Sequence, residues 1–322
     1  MKSKNLITFL IALFIVITFL TTVFMPTAKA SERKNNEMQA YYMDEFCYEE
    51  DFKESVEEEK ILMFDSETGE TTEIDIKSIN EKYKNSNYSA KENIIENLPY
   101  KPKYSFLSDD VYHYVSNVSP LPHRAVCRIK ADVYGSELRA SGFLVGPKIL
   151  LTSAHCVMNE NDNDNFFADW VAYPGYKGGN SYKNVSSGWS KIIYPSNWKS
   201  SHSVEDDWCL CILNEDIGND VDWLTCYTYN SNSDLLLRSV QSIGYPSNPG
   251  GAVLQYYTTG AISKVENGYF RSSSIVSEGM SGGPVIDIYT GFVIGIIKGY
   301  TSTEGVGVRI TPTIKNLIAE NF

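Results

Sequence analysis

Histidine is scarce in this chain, with four residues in 322, and cysteine is little commoner at six, none of them in a C-x-x-C pair. The familiar thiolate zinc frameworks are therefore not expected. Positive charge is also in short supply: 28 basic side chains face 40 acidic ones, for a net charge of −12, and no basic stripe is visible. Nucleic acid is not an expected partner, because phosphate binding needs clustered Lys and Arg. No internal repeat stands out.

What is present divides the chain into three parts. Lys2 and Lys4 precede an apolar run from Leu6 to Met25, and Ala28-Lys29-Ala30 supplies small residues at cleavage spacing. Residues 1–30 read as a signal peptide. The run is nearly long enough to span a bilayer, so an uncleaved membrane tether through residues 6–25 is the alternative. In either case the bulk of the chain is expected outside the cell, secreted or held at the membrane. Residues 31–110 carry 21 acidic against 10 basic side chains, so most of the acidity sits here. Such a segment between an export signal and a compact domain reads as a propeptide, or else as a solvated spacer.

Residues 111–322 have a different texture. Short apolar runs are punctuated by Gly, Pro, Asn and Ser: Ala125 to Ile129, Ala140 to Val145, Lys148 to Leu151, Val240 to Gly244, Val253 to Thr258, Pro284 to Ile288, Phe292 to Ile297 and Gly307 to Ile310. These are strand and turn signals. Only Thr313 to Phe322 has an amphipathic helical pattern. The expectation is an all-β barrel or sandwich closed by one helix. Cys209 and Cys211, two apart on a strand, share a face and read as small buried hydrophobes rather than a bonded pair.

Three stretches carry chemistry. Thr152-Ser153-Ala154-His155-Cys156 places a histidine where the chain leaves an apolar strand. Glu278-Gly279-Met280-Ser281-Gly282-Gly283-Pro284 sets a serine in a glycine-dense loop. Gly279 lets the amides of Gly279 and Ser281 converge on one spot, while Gly282 and Gly283 keep bulk away from the hydroxyl. Asp206-Asp207-Trp208 puts a carboxylate just ahead of the strand from Cys209 to Leu213, and Asp207, next to that strand, is the better candidate for a buried position. A nucleophilic serine needs a base, an orienting carboxylate and oxyanion donors. His155, Asp207, Ser281 and the Gly279 and Ser281 amides supply all four parts. His113, His123 and His202 read as surface or core residues.

In that order, and together with Ala140 to Val145, Gly244-Tyr245-Pro246 and Val293 to Ile296, these motifs resemble the chymotrypsin-like serine peptidases, and in particular their glutamyl endopeptidase branch. The resemblance covers about residues 120–322. It implies two six-stranded antiparallel β-barrels with a crevice between them, in a monomer. His155 would be the general base, Asp207 its orienter, Ser281 the nucleophile, and protein or peptide chains the substrate. No cofactor or metal is implied. Ile297, Lys298 and Gly299 would pair with the substrate backbone.

The departures bear on specificity and activation. Met280 stands where trypsin-type enzymes have an Asp before the nucleophile. Val276 and Ile297 stand where the glutamyl branch has the Thr and His tied to Glu preference, so an apolar or mixed preference is expected unless the Lys298 ammonium enters the pocket. Ala140 stands where the half-cystine partner of Cys156 would be. Cys156 is then free or bonded elsewhere, with Cys127 the nearest candidate. Asn159 to Asn165 alternates oxygen ligands but lacks the glycine and distal Glu of a calcium loop, and reads as solvated. Two competing readings stay open: an inactive binding or adhesion protein on the same fold, and an acyl transferase acting on something other than water.

Overall fold

The structure is a computed structural model and describes residues 60–84, 112–133, 135–160 and 165–322. Residues 1–30, expected as a signal peptide or a tether through residues 6–25, lie outside the described residues, as do Cys47, most of the acidic segment and residues 161–164 of the Asn-rich loop.

In chain order the elements are β1 (Ile61–Asp65), β2 (Thr71–Ile74), α1 (Ile76–Tyr83), β3 (His113–Tyr114), β4 (Val126–Val133), β5 (Ser136–Leu144), β6 (Ile149–Thr152), β7 (Met158–Asn159), β8 (Asn165–Phe166), β9 (Ala168–Pro174), β10 (Trp189–Pro195), β11 (Cys209–Leu213), β12 (Ser239–Gly244), β13 (Tyr256–Val265), β14 (Tyr269–Ser272), β15 (Pro284–Asp287), β16 (Val293–Tyr300), β17 (Gly305–Arg309) and α2 (Pro312–Glu320). Single helical turns fill several connections. The protein is mostly β, as the turn-punctuated apolar runs predict.

The strands form two main antiparallel sheets. The first runs β2-β1-β10-β11-β6-β5-β4-β9. The second runs β12-β15-β16-β17-β14-β13-β3, and β13 pairs back onto β12 from Ser239↔Ala261 to Gly244↔Tyr256. That pairing closes a six-stranded barrel, with β3 added outside it. The first sheet has no such closing ladder among the described residues. An isolated bridge, Ala172↔Ser187, is the link from β9 to the chain just before β10.

Each sheet encloses a core of its own, and a third buried cluster joins the two. Val126, Phe143, Leu151 and Leu210 of the first sheet pack in this joining cluster with Ile243, Ile286, Val293 and Ile296 of the second and with Tyr245, just after β12. Burial of this apolar surface fixes the sheets against each other, at about 25 cal/mol per Å² removed from water. The C-terminal helix joins the same cluster through Ile314, Leu317 and Ile318, spaced for one helical face. It starts one residue earlier than the apolar pattern predicts. Thr311 caps it by accepting from the Ile314 amide at 3.3 Å, and Pro312 occupies the first turn, where its missing N–H costs nothing.

The strand expected at Val253 to Thr258 is displaced to Tyr256–Val265. Gly250, Gly251 and Ala252 all take positive φ, at 98°, 62° and 56°, and hold the chain in a turn until residue 255. Cys127 and Cys156 are both free and buried, so of the alternatives for Cys156 the structure has the unbonded one. Cys209 and Cys211 lie with their sulfurs 3.6 Å apart, also free and buried. Among the described residues no helix is long and apolar enough to cross a membrane.

Part of the acidic segment belongs to the fold. β1 pairs with β10 from Ile61↔Pro195 to Asp65↔Lys191, and Ile61, 1% exposed, enters the shared core. α1 lies on α2: Tyr83 donates to Glu320 at 3.0 Å, Asn316 donates to Asn80 at 3.0 Å, and Lys82 pairs with Glu320.

Candidate active site

β6 and β11 are neighbours, with Cys209 opposite Thr152. The residues just after β6 and just before β11 therefore leave the sheet at the same end. His155 sits in the helical turn that follows β6, and Asp207 two residues before β11. Their side chains meet: the His155 Nδ1 and Asp207 Oδ2 are 2.7 Å apart, and the other carboxylate oxygen accepts the His155 backbone amide at 3.1 Å. Asp207 is fully buried and His155 nearly so.

Burial by itself lowers the affinity of the imidazole for a proton, but the Asp207 carboxylate and, more weakly, Cys156 override it and hold the His155 pKa well above the usual 6.5. Burial likewise pushes Asp207 up, and the His155 imidazolium and hydrogen bond more than reverse this, leaving it below the usual carboxylate value. The neighbour Asp206 has another role. It accepts the Ser203 hydroxyl at 2.8 Å, and burial raises its pKa.

Ser281 lies on the glycine loop ahead of β15. Its backbone oxygen accepts the Ser141 amide at 2.8 Å, and its hydroxyl donates to the Lys298 carbonyl at 3.2 Å. Gly282 brings this loop against the turn that bears His155: a Cβ there would stand 2.0 Å from the Thr152 hydroxyl and 2.2 Å from the Ser141 carbonyl, and its φ is +81°. Ser153 closes the seam by donating to the Ile297 carbonyl at 3.0 Å.

Within the loop the amides alternate in use. Those of Met280, Gly282 and Gly283 donate to Ser277, Ile297 and Met280 carbonyls, whereas among the described residues those of Gly279 and Ser281 donate to none. Gly279 takes φ +87°, and Ser141 holds its carbonyl at 2.7 Å. Two unused amides, one on each side of Met280, are what a developing oxyanion requires.

The residues expected to contact substrate lie on both sides of this loop. Val276 and Ile297 are buried in the core of the closed barrel beside Met280. Lys298 is half-buried at a bulge in β16, between the paired residues Ile297 and Gly299. One neighbour escaped the sequence reading. Glu160, placed in a solvated loop on composition, is half-buried: burial raises its pKa, and it feels the charges of His155, Asp207, Lys298 and His202. A carboxylate at the second position of an Asn/Asp-rich loop gives no sequence signal of such a position. Of the other histidines, His123 meets Gln255 at 2.8 Å and His113 stacks on Tyr257 at 4.9 Å.

A closed antiparallel barrel sharing a core with a second sheet, and a buried Asp–His pair where the serine loop crosses, define a chymotrypsin-like fold. Comparison with known proteins agrees: residues 140–296 match the family described as a trypsin-like peptidase domain. It is 30% identical over 189 residues to the glutamyl endopeptidase of Bacillus licheniformis, an alignment covering 59% of this chain and 56% of that protein. It is 25% identical over 242 residues to a Bacillus subtilis (strain 168) protein named extracellular metalloprotease, covering 74% of this chain and 76% of the relative. The solved structure of a Glu endopeptidase in complex with MPD superposes with a TM-score of 0.57 at 21% identity, over 66% of this chain and 97% of its own.

Proposed function

We propose that this protein is a secreted serine endopeptidase that hydrolyses protein or peptide chains through an acyl-enzyme. The single observation that carries the reading is the two-point attachment of His155 to the buried Asp207, on the turn against which the Ser281 loop packs. The first sheet serves as the other barrel of the pair, and the crevice between the sheets as the substrate cleft.

The steps follow from the chemistry of the groups. Ser281 Oγ attacks the scissile carbonyl while His155 Nε2 takes its proton. Asp207 keeps the remaining ring proton on Nδ1 and stabilises the imidazolium. The carbonyl oxygen gains negative charge between the Gly279 and Ser281 amides, a contribution of about 3 kcal/mol per donor. His155 then returns the proton to the leaving amine, an ester of Ser281 remains, and water admitted by the same base releases it.

Extracellular placement is supported by the residues 1–30 pattern and by the name of the Bacillus subtilis relative. Cleavage after Glu, the activity named for the Bacillus licheniformis relative, is not the preference proposed here. Val276 and Ile297 offer a substrate carboxylate no partner, and a buried unpaired charge costs several kcal/mol. An apolar residue at that position is favoured.

A phosphonylating probe tests the reading directly. It should label Ser281 in the processed protein, and Ser281→Ala should neither label nor hydrolyse peptides while melting at the wild-type temperature. A processed, folded protein that never labels would instead be the inactive binding protein that this fold also permits.

A further inference from the structure

Arg128 lies in the middle of β4 and is 2% exposed, an unusual place for a guanidinium. It crosses from the first sheet to the second. Nε donates to the Ala252 carbonyl, Nη2 meets Glu137 Oε1 at 2.7 Å, and the group lies over the Tyr176 ring at 4.9 Å. Burying a charge against one partly exposed carboxylate is a poor way to gain stability. The geometry suggests what it gains instead.

Ala252 ends the turn that leads out of Gly244-Tyr245-Pro246. It has φ +56°, a conformation costly for a residue with a side chain, and its amide donates to the Pro246 carbonyl at 2.8 Å. This turn in turn holds the serine loop. The Ser247 amide donates to the Glu278 carbonyl at 2.8 Å, and the Ser277 hydroxyl to the Asn248 carbonyl at 3.3 Å. Gly279, with one of the two unused amides, follows directly, and a Cβ on it would stand 2.4 Å from the Tyr245 carbonyl. Arg128 thus reaches the oxyanion donors through two links, from the opposite sheet and without touching the reacting atoms.

We propose that Arg128 is a positioning residue of the reaction: it fixes the 246–252 turn, and through it the peptide planes of residues 278 to 281 that present the Gly279 and Ser281 amides. The inference rests on the reading of Ser281 as nucleophile. Removing the guanidinium leaves the Asp207–His155 pair and the substrate-pairing strand β16 intact, so the loss falls on the transition state rather than on substrate binding.

The test compares wild type, Ser281→Ala, Arg128→Ala and Arg128→Lys as full-length chains, with folding checked by thermal melts. Both Arg128 variants should lose about ten- to a hundredfold in kcat with KM within about threefold of wild type. Affinity for a peptide aldehyde, whose carbonyl takes up the Ser281 hydroxyl and becomes oxyanion-like, should fall in step with kcat. Affinity for the matching product peptide should not. Added guanidinium ion should restore part of the kcat of Arg128→Ala and do nothing for wild type. A purely structural arginine would not give that pattern. If Arg128→Ala fails to fold, Arg128→Lys, which keeps the charge without the planar fork, decides. A folded variant with kcat within twofold of wild type, or a loss confined to KM, overturns the inference. Inactivity of the wild type, or activity of Ser281→Ala, would overturn the nucleophile assignment instead, so the two failures are distinguishable.

Discussion

Asp207 grips His155 twice, through the ring Nδ1 at 2.7 Å and through the backbone amide at 3.1 Å. The first contact sets the tautomer and the second fixes where the ring stands. Both carboxylate oxygens are thereby used, which is how a fully buried charge is made tolerable.

Asparagine at 207 should therefore do more than remove a charge. Its amide NH2 facing Nδ1 would force the ring proton onto Nε2, where the base is needed. Turnover should fall by about three to four orders of magnitude, with the fold retained. Asp206→Asn, which changes only a contact to Ser203, should stay within severalfold of wild type. Steady-state kinetics of the two variants side by side decides between the neighbouring carboxylates.

The same pair sets the pH dependence. His155 must be neutral to accept a proton, and its pKa is held well above 6.5 against the effect of burial, chiefly by Asp207. The acid limb of kcat/KM should accordingly lie above the ordinary histidine range, and in Asp207→Asn the residual activity should titrate at lower pH. For stability the signs differ between partners. The raised histidine contributes fully below about pH 6.5 and loses its contribution as pH rises through its folded pKa; the lowered aspartate contributes above about pH 4 and loses it as pH falls through its own. The melting temperature lost in Asp207→Asn should be greatest between those two values.

The candidate site residues stand out in the sequence more clearly than several of the strands do. His155, Asp207 and Ser281 were legible because each stands next to a short apolar run or in a glycine cluster, so local pattern marks both the element and the residue. The strands β9, β10 and β14 were not, because Ala168–Pro174, Trp189–Pro195 and Tyr269–Ser272 mix Lys, Arg and Ser into their apolar content or alternate too briefly to give a period-2 signal. Glu160 and Arg128 were invisible for another reason. A charged residue in a polar loop or an alternating strand looks solvated unless the partner from a distant segment is known, and those partners come from residues 298 and 252.

Gly282 offers a test of how closely the two halves of the site are pressed together. Its positive φ and the two oxygens within 2.2 Å of a notional Cβ leave no room for a methyl group. Gly282→Ala should push the serine loop away from Thr152 and abolish labelling by the phosphonylating probe, with a clear drop in melting temperature. Wild-type labelling in that variant would show that the loop is not held against the histidine turn as described.

Profiling with a peptide library addresses the pocket. With Val276 and Ile297 as walls, substrates bearing Leu, Met or Phe before the scissile bond should be cleaved at least about tenfold more efficiently than those bearing Glu. A Glu preference would mean that a cation, for which Lys298 is the nearest candidate in sequence, reaches the pocket after all.

The last question is whether residues 60–84 are part of the working domain or only pass by it. Ile61 is buried in the core that both sheets share, and β1 extends the first sheet beyond β10, two strands away from β6 and the histidine turn. Ile61→Ala should then cost about 2–5 kcal/mol of stability, as for other buried isoleucines. Because β10 and β11 separate it from the site, kcat/KM per folded molecule should be unchanged. Denaturant unfolding and kinetics on the same preparation give both numbers. An unaltered midpoint would mean that the segment is a spacer resting on the domain, and that the acidic region contributes nothing to the core beyond its position in the chain.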